Sequence, residues 1–281
     1  MAVRIVTDST ADLPADQAEA LGITVVPLTV FFGDEAYLDN VDLDTAGFYE
    51  KLQASKDLPR TSQPSPAKFQ EAYSKLISEG ADGILSVHLS GKLSGTYQSA
   101  RTASESLTDE ERRVPIEVID SENISAAMSM AVLRASVEAR DGLGLEELKT
   151  NLLDRLNRTH LLAVLDTLEY VKRGGRIGAA SAVLGNMLSV KPIISLKEGE
   201  VVTVERPRTR GKAFERIAQL LKESGQIEQI AIAESNEQVG KQLVEALKPV
   251  YDDQIPIYKL GPVIGTHTGP GAVALTYIIK K

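Results

Sequence analysis

Three clusters of hydroxyl, amide and imidazole groups hold most of the chemistry this sequence could do. The first is Leu89-Ser90-Gly91-Lys92-Leu93-Ser94-Gly95-Thr96-Tyr97-Gln98-Ser99-Ala100. An apolar run from Gly83 to Leu89 leads into it and helical spacing follows it, so Ser94, Gly95 and Thr96 fall on a turn between a strand and a helix. Hydroxyls and free amide N–H groups at a helix N-terminus suit an oxyanion, either a carboxylate or a phosphate. The second cluster, Thr61-Ser62-Gln63-Pro64-Ser65, is hydroxyl-rich in the same way. The third, Gly265-Thr266-His267-Thr268-Gly269-Pro270-Gly271, places His267 in a glycine-rich loop, where a functional role and a loop-internal hydrogen bond are both open readings.

Other motifs are weaker. There is no G-x-G-x-x-G after the first strand and no G-x-x-x-x-G-K-[ST], so dinucleotide and P-loop chemistry lack support. Lys92-Leu93-Ser94-Gly95-Thr96 lacks the first glycine of a nucleophile elbow. Ser65-Pro66 reads as a helix start, with Ser as N-cap and Pro in the first turn. His88, His160 and His267 do not fall at metal-ligand spacing, and no metal site is expected. His88 and His160 lie in apolar strands and read as core or sheet-edge residues. Asp8 and Asp12 flank Ser9, and either can cap the turn that follows the first strand. Lys172, Arg173 and Arg176 surround Gly174-Gly175, which reads either as a solvated turn or as a docking patch for an acidic partner or a phosphate.

Composition narrows the class. The chain has 281 residues, 43% of them hydrophobic, with neither Cys nor Trp, so Leu, Ile, Val and Ala must build the core. Without cysteine there is no disulfide framework, thiol nucleophile or thiolate-bound metal. The net charge of −8, with no basic block, argues against a nucleic-acid partner. Met1 to Asp8 already has a strand pattern and lacks a signal-peptide apolar region, and no run approaches the ~20 apolar residues of a spanning helix. A cytoplasmic protein without a transmembrane segment is expected.

These clusters need elements to position them. In the first half, strands at Val3–Thr7, Ile23–Phe32, Gly83–Leu89 and Ile116–Asp120 alternate with helical patterns ending at Gly22, at 42–54, from Ser65 to Gly80, at 96–106 and at 125–141. That alternation predicts an α/β domain with a mainly parallel sheet. In the second half, Lys191–Leu196 and Val201–Arg206 flank the hairpin signal Lys197-Glu198-Gly199-Glu200. Further strands are expected at 160–166, 230–234, 255–260 and 272–280, with helices at 179–188, 212–223 and 237–247. This half predicts an α+β domain with a mixed or antiparallel sheet. The division is placed at 1–155 and 156–281, with the turn Asp141-Gly142-Leu143-Gly144 near the boundary.

With these pieces in order, the chain resembles the DegV family of bacterial fatty-acid-binding proteins from end to end. The matching blocks are Asp8-Ser9-Thr10-Ala11-Asp12-Leu13-Pro14, Thr61-Ser62-Gln63-Pro64-Ser65, Leu93 to Ala100, Gly174-Gly175-Arg176-Ile177-Gly178, Lys191-Pro192-Ile193 and Gly265 to Ala272. The resemblance implies the same two-domain fold and a buried long-chain, palmitate-like fatty acid as ligand, with no other cofactor. It implies a carboxylate met by Thr61, with Ser62 beside it, and by Ser94 in its Gly95-Thr96 turn, with His267 completing the network. It also implies a non-catalytic role, in some members as the binding subunit that presents the acyl carboxylate to a separate fatty acid kinase. Lys172, Arg173 and Arg176 would then be the surface for that kinase. Relatives often carry glycines where this chain has Ala126-Ala127-Met128-Ser129-Met130-Ala131, a departure that bears on acyl-chain preference.

The physics fits a carrier. A sixteen-carbon tail buried at ~0.8 kcal/mol per methylene gains roughly 12 kcal/mol gross, from which association entropy removes several. A buried carboxylate without donors would take up a proton or cost several kcal/mol. The competing enzymatic reading is a serine hydrolase acting on acyl esters, with Ser94 as nucleophile, His267 as base and Asp8 orienting it.

Overall fold

The computed structural model describes residues 2–183 and 190–281. Along the chain, β1 (Val3–Asp8) ends in a 3-10 turn and α1 (Ala15–Ala20) leads to β2 (Ile23–Val26), β3 (Thr29–Phe32) and β4 (Glu35–Leu38). Then come α2 (Thr45–Ala54), β5 (Arg60–Ser62), α3 (Pro66–Ser78), β6 (Gly83–His88), α4 (Thr96–Glu105), β7 (Ile116–Asp120), α5 (Ala126–Arg140) and α6 (Leu145–Asn157). The rest comprises β8 (Thr159–Val164), α7 (Glu169–Arg173), β9 (Ile193–Lys197), β10 (Glu200–Glu205), α8 (Arg210–Glu223), β11 (Ile227–Glu234), α9 (Glu237–Leu247), β12 (Ile257–Lys259), α10 (Pro262–Thr268) and β13 (Val273–Ile279).

Two compact units result: Met1–Thr29 with Thr61–Asn157, and Val30–Arg60 with Arg158–Lys281. The second unit is therefore discontinuous in sequence, which differs from a single cut near residue 155. The first unit holds a four-stranded, all-parallel sheet of order β2-β1-β6-β7. Its central strand β6 is buried at every position, as a parallel strand covered on both faces must be. Val3 and Ile5 face a core with Met128, Val132, Leu148 and Leu152, while Val6 and Ile84 face one with Phe69, Tyr73 and Ala100. In α6, Leu148, Leu152 and Leu156 recur every fourth residue and form one buried stripe.

The second unit holds a six-stranded sheet of order β10-β9-β8-β13-β11-β12, antiparallel except for the β11–β12 pair. Helices α8 and α9 cover it with Phe214, Ile217, Val239 and Leu243. The mixed α/β architecture is as the sequence implies.

Four local expectations change. The run Ile23–Phe32 is two strands, because Pro27 has no N–H for a ladder and interrupts pairing. The turn at 141–144 leads into α6, a helix absent from the sequence expectations. The segment around His267 is a helix, α10, and not a loop. The helix expected at 179–188 is in its first part a 3-10 helix over Gly178–Val183, and 184–188 lie outside the described residues.

Candidate functional site

The Ser94 turn leaves the C-terminal end of β6 and is held by two carboxylates. Asp8, fully buried at the end of β1, accepts from Leu89 N at 3.1 Å, His88 Nδ1 at 3.0 Å, Thr10 N at 3.0 Å and the Thr10 hydroxyl. Of the two candidate caps flanking Ser9, Asp8 is thus the one that caps the following turn. Asp120, at the end of β7, accepts Gly91 N on both oxygens at 3.1 Å and Glu122 N at 2.9 Å. Gly91 must be glycine here, since a Cβ would lie 2.7 Å from Asp120 Oδ2.

Within the turn, Leu93 N and Ser94 N donate to Ser90 O at 3.0 and 3.1 Å, and Lys92 N to Ser90 Oγ at 3.2 Å. Most amides of the segment are therefore already engaged, contrary to the expectation of an open amide cradle. The N–H groups of Gly95, Tyr97 and Gln98 belong to the first turn of α4, where no intrahelical acceptor exists. They lie beside the two hydroxyls of interest: Ser94 Oγ and Thr96 Oγ1 are 2.9 Å apart, and Thr96 N donates to Ser94 Oγ at 3.3 Å. Thr96 is buried, while Ser94 and Gly95 are half-buried.

The two hydroxyl blocks are joined by Gln63, to which sequence reading gave no role. Gln63 Nε2 donates to Ser99 Oγ at 3.2 Å on the first turn of α4. Gly95 packs against the same carboxamide, so that a Cβ there would lie 2.6 Å from Nε2. The signal in the sequence was Gly95 itself, a glycine at a helix N-cap whose φ of −75° any residue can adopt, so that space and not conformation requires it. Thr61 lies half-buried on β5, two residues before Gln63. Ser62 is exposed and its hydroxyl donates to Gln63 O at 3.2 Å.

In the second unit, His267 occupies the last turn of α10. Gly265, two residues earlier, lets the helix press onto α2: a Cβ would lie 2.9 Å from the Tyr49 hydroxyl and 3.1 Å from Phe48 Cδ1. Gly174 faces the His267 ring, and a Cβ there would meet Cε1 at 2.9 Å. The structure thus brings together the basic turn and His267, which the sequence treats as separate features. Burial, with the Arg176 charge as a smaller cause, pushes the His267 pKa down to about 4, so the imidazole is neutral at physiological pH. Arg176 donates to Gly174 O at 2.5 Å. Arg173 is exposed and pairs with Glu169 at 2.6 Å one turn earlier on α7, which also carries Lys172. The Lys191 of the Lys191-Pro192-Ile193 block pairs with Asp166 at 2.8 Å, and Asp166 also binds Arg210.

Asp8 does not serve as the orienting acid of a hydrolase. Its carboxylate holds His88, whose Nε2 meets Ser86 Oγ at 2.7 Å, and Ser86 meets the Tyr73 hydroxyl at 2.8 Å. All four side chains are fully buried, and burial raises the Tyr73 pKa. A donor order that satisfies every group runs from Tyr73 to Ser86 to His88 to Asp8. It is a Ser-His-Asp chain by composition, enclosed in the core. Among the described residues, no group of three or more His, Asp or Glu could hold a metal, and no helix is long and apolar enough to cross a membrane.

This fold, with a parallel α/β unit, a mixed-sheet unit and a hydroxyl turn at the parallel sheet's C-terminal edge, defines a class with known members. The sequence matches the family described as "Uncharacterised protein, DegV family" over residues 2–280. It is 38% identical to a DegV domain-containing protein of Halalkalibacterium halodurans over 99% of both chains. The chain belongs to the DegV family. Its structure is similar to that of a fatty-acid-binding DegV family protein from Thermus thermophilus, with a TM-score of 0.90, 35% identity and 100% of both chains covered. It is also similar to a stearic acid-binding protein from Eubacterium ventriosum, with a TM-score of 0.90, 26% identity and 99% and 98% coverage.

Proposed function

We propose that this protein binds a long-chain, palmitate-like fatty acid and presents its carboxylate to a separate fatty acid kinase, without itself catalysing a reaction. The observation that carries this reading is the Ser94–Thr96 hydroxyl pair, 2.9 Å apart at the start of α4 and tied through Gln63 to the Thr61 segment. Neutral hydroxyls and helix N-terminal amides can satisfy a carboxylate at about 1.5–3 kcal/mol per charge-assisted bond. Unlike a bidentate arginine, they leave it open to attack on a phosphoryl donor. In this reading Thr61 and Ser94 are the principal donors, Thr96 and Gly95 shape the turn, Ser62 flanks it and a neutral His267 belongs to the head-group network. Fatty-acid binding in the solved relatives supports the ligand class. The kinase rests on the family resemblance and on the exposed cations of α7 and the turn after it.

The hydrolase reading is weaker on three counts. Ser94 is partnered by Thr96 and not by a base, His267 is too weakly basic near pH 7, and Asp8 is committed to His88. Native mass spectrometry of the purified protein, followed by organic extraction, tests the proposal. A fatty acid recovered in stoichiometric amount, and phosphorylated on addition of a fatty acid kinase and ATP, is the expected result. A protein that neither retains nor takes up a long-chain fatty acid overturns it.

A further inference from the structure

At the N-terminal edge of the parallel sheet, the edge away from the Ser94 turn, a cleft of about 320 Å³ opens between the start of β1, the end of α1 and the last turn of α5. Its polar lining includes Arg4 and Arg140, and its apolar lining includes Val3, Leu21 and Ala139. Pairing of β1 with β2 begins only at Ile5 opposite Ile23, so Arg4 stands beside Gly22, before β2 starts. Gly22 turns there with φ +66°, and a Cβ on it would sit 4.0 Å from Arg4 Nη1. Ser136 of α5 donates its hydroxyl to Leu21 O at 2.9 Å and so fixes one wall of the cleft against the other.

The charges are uncompensated. Among the described residues, neither Arg4 nor Arg140 has a carboxylate partner, although the chain carries 39 acidic residues against 31 basic ones. Arg4 Nε is enclosed by protein and meets no acceptor. Asp82, near Ala2, has its Oδ2 engaged by Ala2 N at 2.7 Å. The position of Arg140 at a helix C-terminus is favourable by itself. That accounts for Arg140, whereas Arg4, on β1, lines the cleft with neither a helix end nor a carboxylate to compensate it.

We propose that this cleft binds a small organic phosphate monoester, its phosphate between the guanidinium groups of Arg4 and Arg140 and its organic body against Val3, Leu21 and Ala139. Two guanidinium groups match a phosphate in charge and in planar donor geometry. The volume lies at the lower end of the range of small-molecule sites and exceeds what a bare phosphate needs. This site lies wholly within the first unit and is independent of the fatty-acid reading.

The test is titration calorimetry on the full chain at low ionic strength, with phenyl phosphate as probe and inorganic phosphate as comparator. Phenyl phosphate should saturate one site per chain with a sub-millimolar Kd, and inorganic phosphate should bind more weakly because it leaves the apolar wall unused. Arg4→Gln and Arg140→Gln should each weaken phenyl phosphate by about tenfold or more while leaving the chain's melting temperature and fatty-acid content unchanged. Arg140 is exposed, so its variant keeps the test interpretable if Arg4→Gln impairs folding. Absence of saturable binding, or a Kd unchanged in Arg140→Gln, overturns the proposal.

Discussion

Gln63 and Gly95 meet so closely that the Gly95 Cα carries the only side chain the Gln63 carboxamide can accept there, a hydrogen. Because Gln63 also reaches Ser99, this one contact fixes the Thr61 segment against the turn that carries Ser94. Gly95→Ala should displace the Gln63 amide, a flexible side-chain end, and cost about 0.5–1.5 kcal/mol for the lost hydrogen bond. Palmitate affinity should fall by more than stability does, because two donor segments lose their mutual register. Equal effects in a denaturant titration and a fluorescent fatty-acid competition assay would remove Gln63 from the site.

Ser94→Ala and Thr61→Val should each weaken palmitate binding by about 1–3 kcal/mol, as a buried carboxylate oxygen loses a donor. The fold should persist, since the amides of Leu89, Gly91, Leu93 and Ser94 are held by Asp8, Asp120 and Ser90, and Ser94→Ala releases only the long bond from Thr96 N. Equilibrium binding with the delipidated variants measures this, and unchanged affinity in both would refute the assignment.

Asp8→Asn should destabilise the first unit. An amide cannot accept from Thr10, His88 and Leu89 together, so at least one buried donor is stranded, at a cost of about 1–3 kcal/mol for each. The loss should appear as a lower urea midpoint at unchanged slope.

His267 should make stability depend on pH. Its folded pKa of about 4 lies below the 6.5 of the unfolded chain, so between those values the unfolded state binds more protons. The contribution is complete above about pH 6.5 and is lost as pH falls toward 4, by roughly 3 kcal/mol in total for a shift of this size. In His267→Gln this part of the slope should vanish. Denaturant unfolding at several pH values, run on both proteins, gives the comparison.

Arg173→Ala removes one side of an exposed pair with Glu169, an interaction that contributes little to folding. Lipid content and melting temperature should stay as they are, while acyl phosphate formation with a reconstituted kinase falls. The deficit should shrink as salt rises, because screening already weakens docking of the parent protein. Loss of lipid in this variant would assign Arg173 a structural role instead.

The sequence by itself determined a good deal here. Period-two and period-3.6 patterns are local properties, so the parallel α/β half, the hairpin at 197–200 and the Ser65-Pro66 helix start were legible, as were both hydroxyl blocks. Tertiary structure decided the rest. Gly265-Thr266-His267-Thr268-Gly269 has poor helix propensity and reads as a loop, yet it begins in α10, because Gly265 allows close packing on Phe48 and Tyr49 from a segment more than two hundred residues away. Nothing near residues 30–60 marks them as part of the second unit, since membership depends on partners distant in the chain. Asp8 could cap or orient on local evidence. Only the parallel register that sets β1 beside β6 gives its carboxylate to His88 and Leu89, and pairing between strands some eighty residues apart leaves no trace in either strand alone.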